Sequence, residues 1–324
     1  MSADTHTSTA PRTSASAWKT TAGRTGSGAF PAPVLMLIGM VSTQFGAAFA
    51  KQLFGTAGPA TMTVMRLGFA AVVLLLWWRP SLRLDRRTAG NVAALGVAIA
   101  GMNFCFYQAM ARMPVGVALT VGMAGPLAVA ALSSRRARDR LWIVLAAGGI
   151  ALLGWQGGTA RLTGLLIALA CAVFWGAYVP LSEKVGAVLP GGGGLALAMA
   201  FGAVCSLPAG LAEGGGALAR PEVLAFGFGV AMLSSLVPYT CEMETLRRVS
   251  ALVFGVLLSL EPAIGALIAL LVLHETLSLT QALGLVAVVT ASMGVIRSTR
   301  PARERPSAAL TDSGPTLIQG TEEK

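Results

Sequence analysis

Leu257-Leu258-Ser259-Leu260-Glu261-Pro262 sets a carboxylate and a proline side by side in the middle of an apolar run covering 250–273. At ~1.5 Å per helical residue, Glu261 falls roughly 17 Å along such a helix, near the middle of a hydrocarbon layer ~30 Å thick. An ionised group at that depth costs on the order of 2.5–3.5 kcal/mol on insertion scales, so it faces a partner or a wet cavity. Pro262 removes a backbone donor and frees a carbonyl about one turn earlier, which is tolerated at membrane depth only against protein or water. Depth and break coincide, which points to a functional site. The plainer reading is a structural kink beside a neutral or paired glutamate.

The rest of the chain has the composition of a membrane protein. Of 324 residues, 55% are hydrophobic and only 12% charged, and the mean hydropathy is +0.71, outside the range of ordinary soluble domains. The formal charge of +10 lies in short basic clusters between apolar runs, a pattern of membrane topology rather than of nucleic-acid binding, for which no basic face or motif exists. Cys105, Cys171, Cys205 and Cys241 all fall inside apolar runs without CxxC spacing, so neither a metal site nor a disulfide is expected. No GxxxxGK[ST] pattern occurs, so the chain has no ATPase of its own, and no cofactor is expected.

Ten apolar segments are expected to be helices, at 34–54, 61–78, 91–110, 116–132, 141–155, 163–182, 194–212, 223–246, 250–273 and 279–296. The first is long enough to span rather than to be a cleaved signal, although Ala48-Phe49-Ala50 resembles a cleavage site. The fifth is short and must borrow flanking residues. Residues 1–33 and 297–324 are polar, Pro-, Ser- and Thr-containing tails with too little apolar surface to fold. With the amino terminus inside, the inner side collects 19 Lys and Arg and the outer side three, Arg112, Arg161 and Arg220. That asymmetry places both tails in the cytoplasm of a multi-pass protein with an even number of spans.

A shift of 136 residues lays Arg112 on Arg248, Val117 on Val253, Pro126 on Pro262 and Gly148 on Gly284, and a shift of 130 lays Phe45-Gly46-Ala47 on Trp175-Gly176-Ala177. Two halves of five helices each, 34–155 and 163–296, would enter from opposite sides because five is odd, giving inverted repeats in an all-α protein. Transporters built this way bind at the repeat interface, at helix interruptions in corresponding positions. Gly125-Pro126 and Glu261-Pro262 are such a pair. Chance matching between Ala- and Leu-rich helices is the bland alternative. Ser42, Gly46 and Ala50, and Ala168, Ala172 and Gly176, form small-residue faces for close packing.

Further polar residues lie at helical spacing inside the apolar runs. Tyr239 and Glu242 share a face, whereas Glu244 stands four residues from Arg248 and is expected to pair with it at the helix end. Asn103 and Tyr107 also share a face, either for substrate or for a helix–helix hydrogen bond. Lys51 and Arg66 either snorkel to the interface or reach a cavity, where they hold a substrate carboxylate or pair with a glutamate. Trp175 and Tyr178 either line a cavity or pack, and His274 at a helix end reads as turn chemistry.

These residues also carry a family resemblance. Gly101-Met102-Asn103-Phe104, Phe106-Tyr107, Gly125-Pro126-Leu127-Ala128-Val129 leading to Ser133-Ser134-Arg135-Arg136, Pro238-Tyr239, Glu242-Met243, Phe254-Gly255, Glu261-Pro262-Ala263 and Glu275-Thr276 resemble the threonine/homoserine exporter branch of the EamA-type drug/metabolite transporters. Gln44, Ala50-Lys51, Leu53-Phe54 and Arg66-Leu67 extend the match, which adds Gln44 to the candidates. The resemblance implies ten helices in two inverted repeats, a bacterial inner-membrane location and export of an amino acid or related metabolite. Relatives of this kind often carry a carboxylate three residues before the Gly-Pro of the fourth helix, where this chain has Gly122.

The expected activity is secondary export of a small amino-acid-like molecule, with Glu261 binding a proton in one access state and releasing it in the other. Desolvation disfavours the charged form of any carboxyl, which makes such exchange possible. A drug, sugar or lipid-linked metabolite carrier on the same scaffold is the alternative. A polytopic enzyme would need a nucleophile–base pair or metal cluster that two histidines, His6 and His274, do not supply. Reporter fusions after Val295 and within 191–194 are expected to score cytoplasmic and one at Gly157 external; an external score for the terminal fusion removes the ten-span topology.

Overall fold

The computed structural model describes residues 31–133, 137–154, 159–189, 191–249 and 251–298. Both tails, the bases in 134–136 and residues 155–158 around Gly157 lie outside the described residues. From Ala32 onward the described chain forms one compact unit that is entirely helical, with no strand among the described residues. In order come α1 (Ala32–Gln52), α2 (Phe54–Ala57), α3 (Pro59–Trp78), α4 (Arg86–Met110), α5 (Val115–Gly122), α6 (Ala124–Ser133) and α7 (Ala137–Gly154). They are followed by α8 (Thr159–Val188), α9 (Gly193–Gly214), α10 (Pro221–Ala231), α11 (Val237–Arg248), α12 (Ala251–Leu258), α13 (Glu261–Leu273) and α14 (Leu279–Ser298). Among the described residues six helical runs, one of them the continuous run Pro221–Glu242, can cross a membrane by length and composition; Val115–Val129, Leu141–Leu153, Glu261–Leu273 and Leu279–Gly294 are shorter apolar stretches.

Local chemistry explains most boundaries. Pro59 opens α3, where a missing N–H is harmless. Asp85 caps α4 by accepting from the backbone N–H groups of Arg87 and Thr88, each at 3.1 Å. Its hydrogen bonds with Thr88 hold this carboxyl below the usual range. The short fifth segment starts earlier than its apolar residues, because α7 takes in the polar residues from Ala137. His274 closes α13 in the left-handed region, at φ 54°, and its N–H returns to Ala269.

Three segments are interrupted. α5 gives way to α6 at Met123, and α12 to α13 at Ser259 and Leu260, in each case just ahead of a proline. Leu260 N–H bonds back to Leu257, a tight three-residue turn, before Pro262 enters the first turn of α13, where no donor is needed. The third interruption was not expected. The segment 223–246 is not one α-helix but α10 and α11 joined by a π-helical turn at Met232–Leu236.

Packing follows the small residues. α1 lies against α11 and α13, α8 against α4, α5 and α6, α3 against α9, and α7 against α14. α1 and α11 run antiparallel, since Thr245 near the end of α11 donates to the carbonyl of Ala32 at the start of α1. Gly46 lets α1 approach the π-turn so closely that a Cβ there would lie 2.9 Å from the Cβ of Ser234. Gly125 is tighter still, because a Cβ would overlap the carbonyl oxygen of Ala172 on α8, and backbone cannot yield. Gly125→Leu is therefore expected to lower folded yield and melting temperature in detergent, by at least ~1 kcal/mol of stability. Gly148→Ala, at a position with nothing within 4 Å of the added Cβ, should be tolerated; equal behaviour of the two variants would refute the packing argument.

Candidate functional site

The prolines that shape the helices also create hydrogen-bond acceptors. Pro238 has no N–H to return to Leu233 or Ser234, the carbonyls five and four residues back around the π-turn. Both are taken by other helices. Ser42 on α1 donates its hydroxyl to the Leu233 carbonyl at 2.7 Å, and Arg66 on α3 donates from Nη2 to the Ser234 carbonyl at 3.2 Å. The guanidinium also donates from Nη1 to the Tyr107 hydroxyl at 3.5 Å and stands 5.6 Å from the centroid of the Tyr107 ring. Arg66 is thus aimed inward from the bundle rather than toward an interface.

The space it reaches is a cavity of about 390 Å³. α1 contributes Thr43 and Gln44, α4 contributes Met102, Asn103 and Phe106, and α8 contributes Cys171, Trp175 and Tyr178. Ser234 and Ser235 of the π-turn, Tyr239 and Glu242 of α11, and Glu261 at the start of α13 complete its polar wall. Gln44 donates from Nε2 to Glu261 Oε1 at 3.3 Å. Its own Oε1 is buried and accepts nothing among the described residues. That oxygen lies over Gly265, where a Cβ would come within 3.0 Å of it. Arg66, Glu242 and Glu261 form no ion pair among the described residues, in contrast to Lys51 with Glu275 and Glu244 with Arg248.

Eight of the ten candidate polar and aromatic residues therefore meet in one cavity: Gln44, Arg66, Asn103, Trp175, Tyr178, Tyr239, Glu242 and Glu261. Asn103 ties its Nδ2 to the Ile99 carbonyl of its own helix at 2.9 Å. Tyr107 stands behind the wall, fully buried, as the support under Arg66. Lys51 is elsewhere. Its ammonium meets Glu275 at 2.5 Å and the Met113 carbonyl at 2.8 Å, while the other Glu275 oxygen accepts the Val115 N–H that opens α5. Gly125, Pro126 and Pro262 lie at the helix breaks and do not line the cavity.

Two participants were missed in the sequence, Ser42 and the Ser234 carbonyl. The available signal was Ser234-Ser235 followed by Pro238, a proline placed to orphan carbonyls within an apolar run. Phe254 and Leu258 of α12 also line the cavity, the first within a stretch already singled out by resemblance.

The cavity reaches unequally toward the two ends of the helices. Glu242 near the end of α11, Phe254 near the start of α12 and Leu195 near the start of α9 extend it toward the end where α1 begins. Toward the other end, fully buried Tyr107, Met110 and Val115 fill the space, backed by the Lys51–Glu275 pair. One end filled by buried side chains, a lining that extends toward the other, and charged groups between them suit a site that binds a small polar molecule.

The threonine/homoserine exporter RhtA of Salmonella typhimurium strain LT2 is 36% identical over 285 residues, covering 86% of this chain and 95% of that protein. The threonine/homoserine exporter RhtA of Escherichia coli K12 is 36% identical over 265 residues, covering 81% and 90%. A crystal structure with 19% sequence identity shares the fold, with a TM-score of 0.55 over 84% of this chain and 99% of the other. The model of the EamA-like transporter family matches residues 31–154 and again 162–297, nearly the whole described chain, and this protein belongs to that family.

Proposed function

We propose that this chain is a secondary active exporter of a small amino acid of the threonine or homoserine type, working in a bacterial inner membrane. The observation that carries the reading is a cavity in which one guanidinium and two carboxylates stand without ion-pair partners among the described residues. An amino acid is complementary to it, because its carboxylate matches Arg66 and its ammonium matches the carboxylates of Glu261 and Glu242. The relatives' activity and the twofold family match support the same reading.

Alternating access would come from two inverted five-helix repeats, α1 to α7 and α8 to α14, rocking about the cavity. The pattern of packing supports this arrangement. Exchanging the halves turns α1 on α11 into α8 on α4, and α1 on α13 into α8 on α5 and α6, while α3 on α9 and α7 on α14 exchange into themselves. The two helix breaks, at Met123 and at Ser259, also stand 136 residues apart, the same shift that relates Pro126 to Pro262. With the amino terminus cytoplasmic, the end toward which the cavity lining extends faces the cytoplasm and the Lys51–Glu275 pair closes the external side.

Glu261 is the ion-coupling group in this scheme. It sits where α13 restarts, touches Gln44 of the other repeat, and has Pro262 next to it to let the helix repack. The corresponding position of the first repeat, Gly125, has no room for any side chain, so coupling falls on one repeat.

Proteoliposomes containing the purified chain should show counterflow of threonine or homoserine from an amino-acid panel, and none of a sugar panel; the reverse result would refute the substrate class. Glu261→Gln keeps the volume and mimics the protonated acid. It should reach normal membrane abundance, lose gradient-driven export and retain amino-acid exchange. Unimpaired uphill export with the parent's pH dependence would make Glu261 structural and move the coupling to Glu242.

A further inference from the structure

We infer that this cavity is loaded to electroneutrality, so that it accepts monocationic amino acids as well as zwitterionic ones, the zwitterion with one bound proton and the cation with none. The inference rests on the amino-acid reading given above and adds to it a substrate class and a rule of stoichiometry for the loaded cavity alone. Uphill export of a zwitterion through Glu261 then requires the hydrated empty cavity to return with more protons than the one the loaded cavity carries.

The argument is a count of charges in a confined space. The titratable groups facing the cavity are Arg66 from α3, Cys171 and Tyr178 from α8, Tyr239 and Glu242 from α11, and Glu261 from α13. Thiols and phenols are ordinarily uncharged near neutral pH. The remaining walls, from α1, α4, α5, α9 and α12, add no charged side chain among the described residues. Lys51 and Glu275 neutralise each other outside the cavity, as do Glu244 and Arg248. One permanent guanidinium therefore stands against two carboxylates, an excess of one negative charge when both are ionised.

While the cavity is open to water, that excess is hydrated. When it is occluded, the hydration is lost and an uncompensated charge in apolar surroundings becomes strongly unfavourable, whereas a paired one is tolerated. A zwitterion brings no net charge, so one of the carboxylates must also take a proton from water before closure. A diamino acid brings one positive charge and satisfies the same balance with both carboxylates ionised. Acceptors for a second ammonium are present. Glu242 lines the cavity together with Tyr239 of its own helix and Tyr178 of α8, and each carries an oxygen able to accept from an ammonium.

Homoserine and 2,4-diaminobutyrate test this with almost no change of shape, since they differ only in a terminal hydroxyl against a terminal ammonium. Binding of each to the purified protein in detergent is measured by calorimetry between about pH 5.5 and 7, where the diamino acid is a monocation, in buffers of different ionisation enthalpy. The ratio of homoserine to 2,4-diaminobutyrate affinity should rise about tenfold for each unit by which pH falls, with proton uptake differing by one between them. The difference does not depend on how the empty cavity is protonated. Glu242→Gln leaves one carboxylate against the guanidinium, so its preference for 2,4-diaminobutyrate over homoserine should drop at least tenfold, a ratio that a general loss of folding would not change.

If homoserine binds but 2,4-diaminobutyrate does not, or if both take up the same number of protons, electroneutral loading is wrong and the amino-acid reading stands. If neither binds, both fail. An unchanged ligand ratio in Glu242→Gln also overturns the inference, because the charge count would then have no influence on selection.

Discussion

A guanidinium can be held in the middle of an apolar bundle only if something fixed accepts its protons. In this protein that acceptor is the backbone oxygen of Ser234, set free by a proline four residues further on and by the π-turn between α10 and α11. The arrangement needs no side-chain anion for Arg66, and this is what leaves Glu242 and Glu261 without an ion-pair partner among the described residues. Had the arginine been neutralised by either glutamate, the cavity would contain an internal salt bridge and little appetite for a ligand. Close approach of α1 at Gly46 brings Ser42 to the neighbouring carbonyl of Leu233, so the same irregular turn is fastened from two helices.

The helix breaks and the charged floor were legible in the sequence because both violate the rule that a membrane span is apolar and continuous. Glu261-Pro262 violates it twice, and Gly125-Pro126 repeats half of the violation at the right distance. What could not be read was which prolines interrupt a helix. Pro180 and Pro208 lie inside α8 and α9, which continue through them, whereas Pro238 accompanies a π-turn and Pro262 a full break. Each removes one donor, and the outcome depends on whether a neighbouring helix reaches the freed carbonyl, a tertiary fact with no local signature.

Lys51 illustrates the same boundary of sequence reasoning. Its depth suited either an interface or a cavity, and the deciding partner, Glu275, lies more than two hundred residues away in the chain. Tyr107 likewise shares a helical face with Asn103, yet only Asn103 reaches the cavity while Tyr107 supports Arg66 from behind. Spacing identifies a shared face, and the thickness of the wall decides which member of the pair meets the ligand.

At the closed end, one carboxylate serves three parts of the chain. Glu275, just beyond α13, holds the ammonium of Lys51 at the end of α1 and the first N–H of α5, and Lys51 in turn holds the carbonyl of Met113 before α5. Loosening any one of these contacts leaves a charge or a backbone group half-buried without its partner, so intermediate openings are poorly supported. The three strands of chain should separate together or stay together. In the alternating-access scheme proposed above, such all-or-none behaviour would make this end a latch with no ajar position, limiting the time during which ions could leak through a carrier that must never be open at both ends.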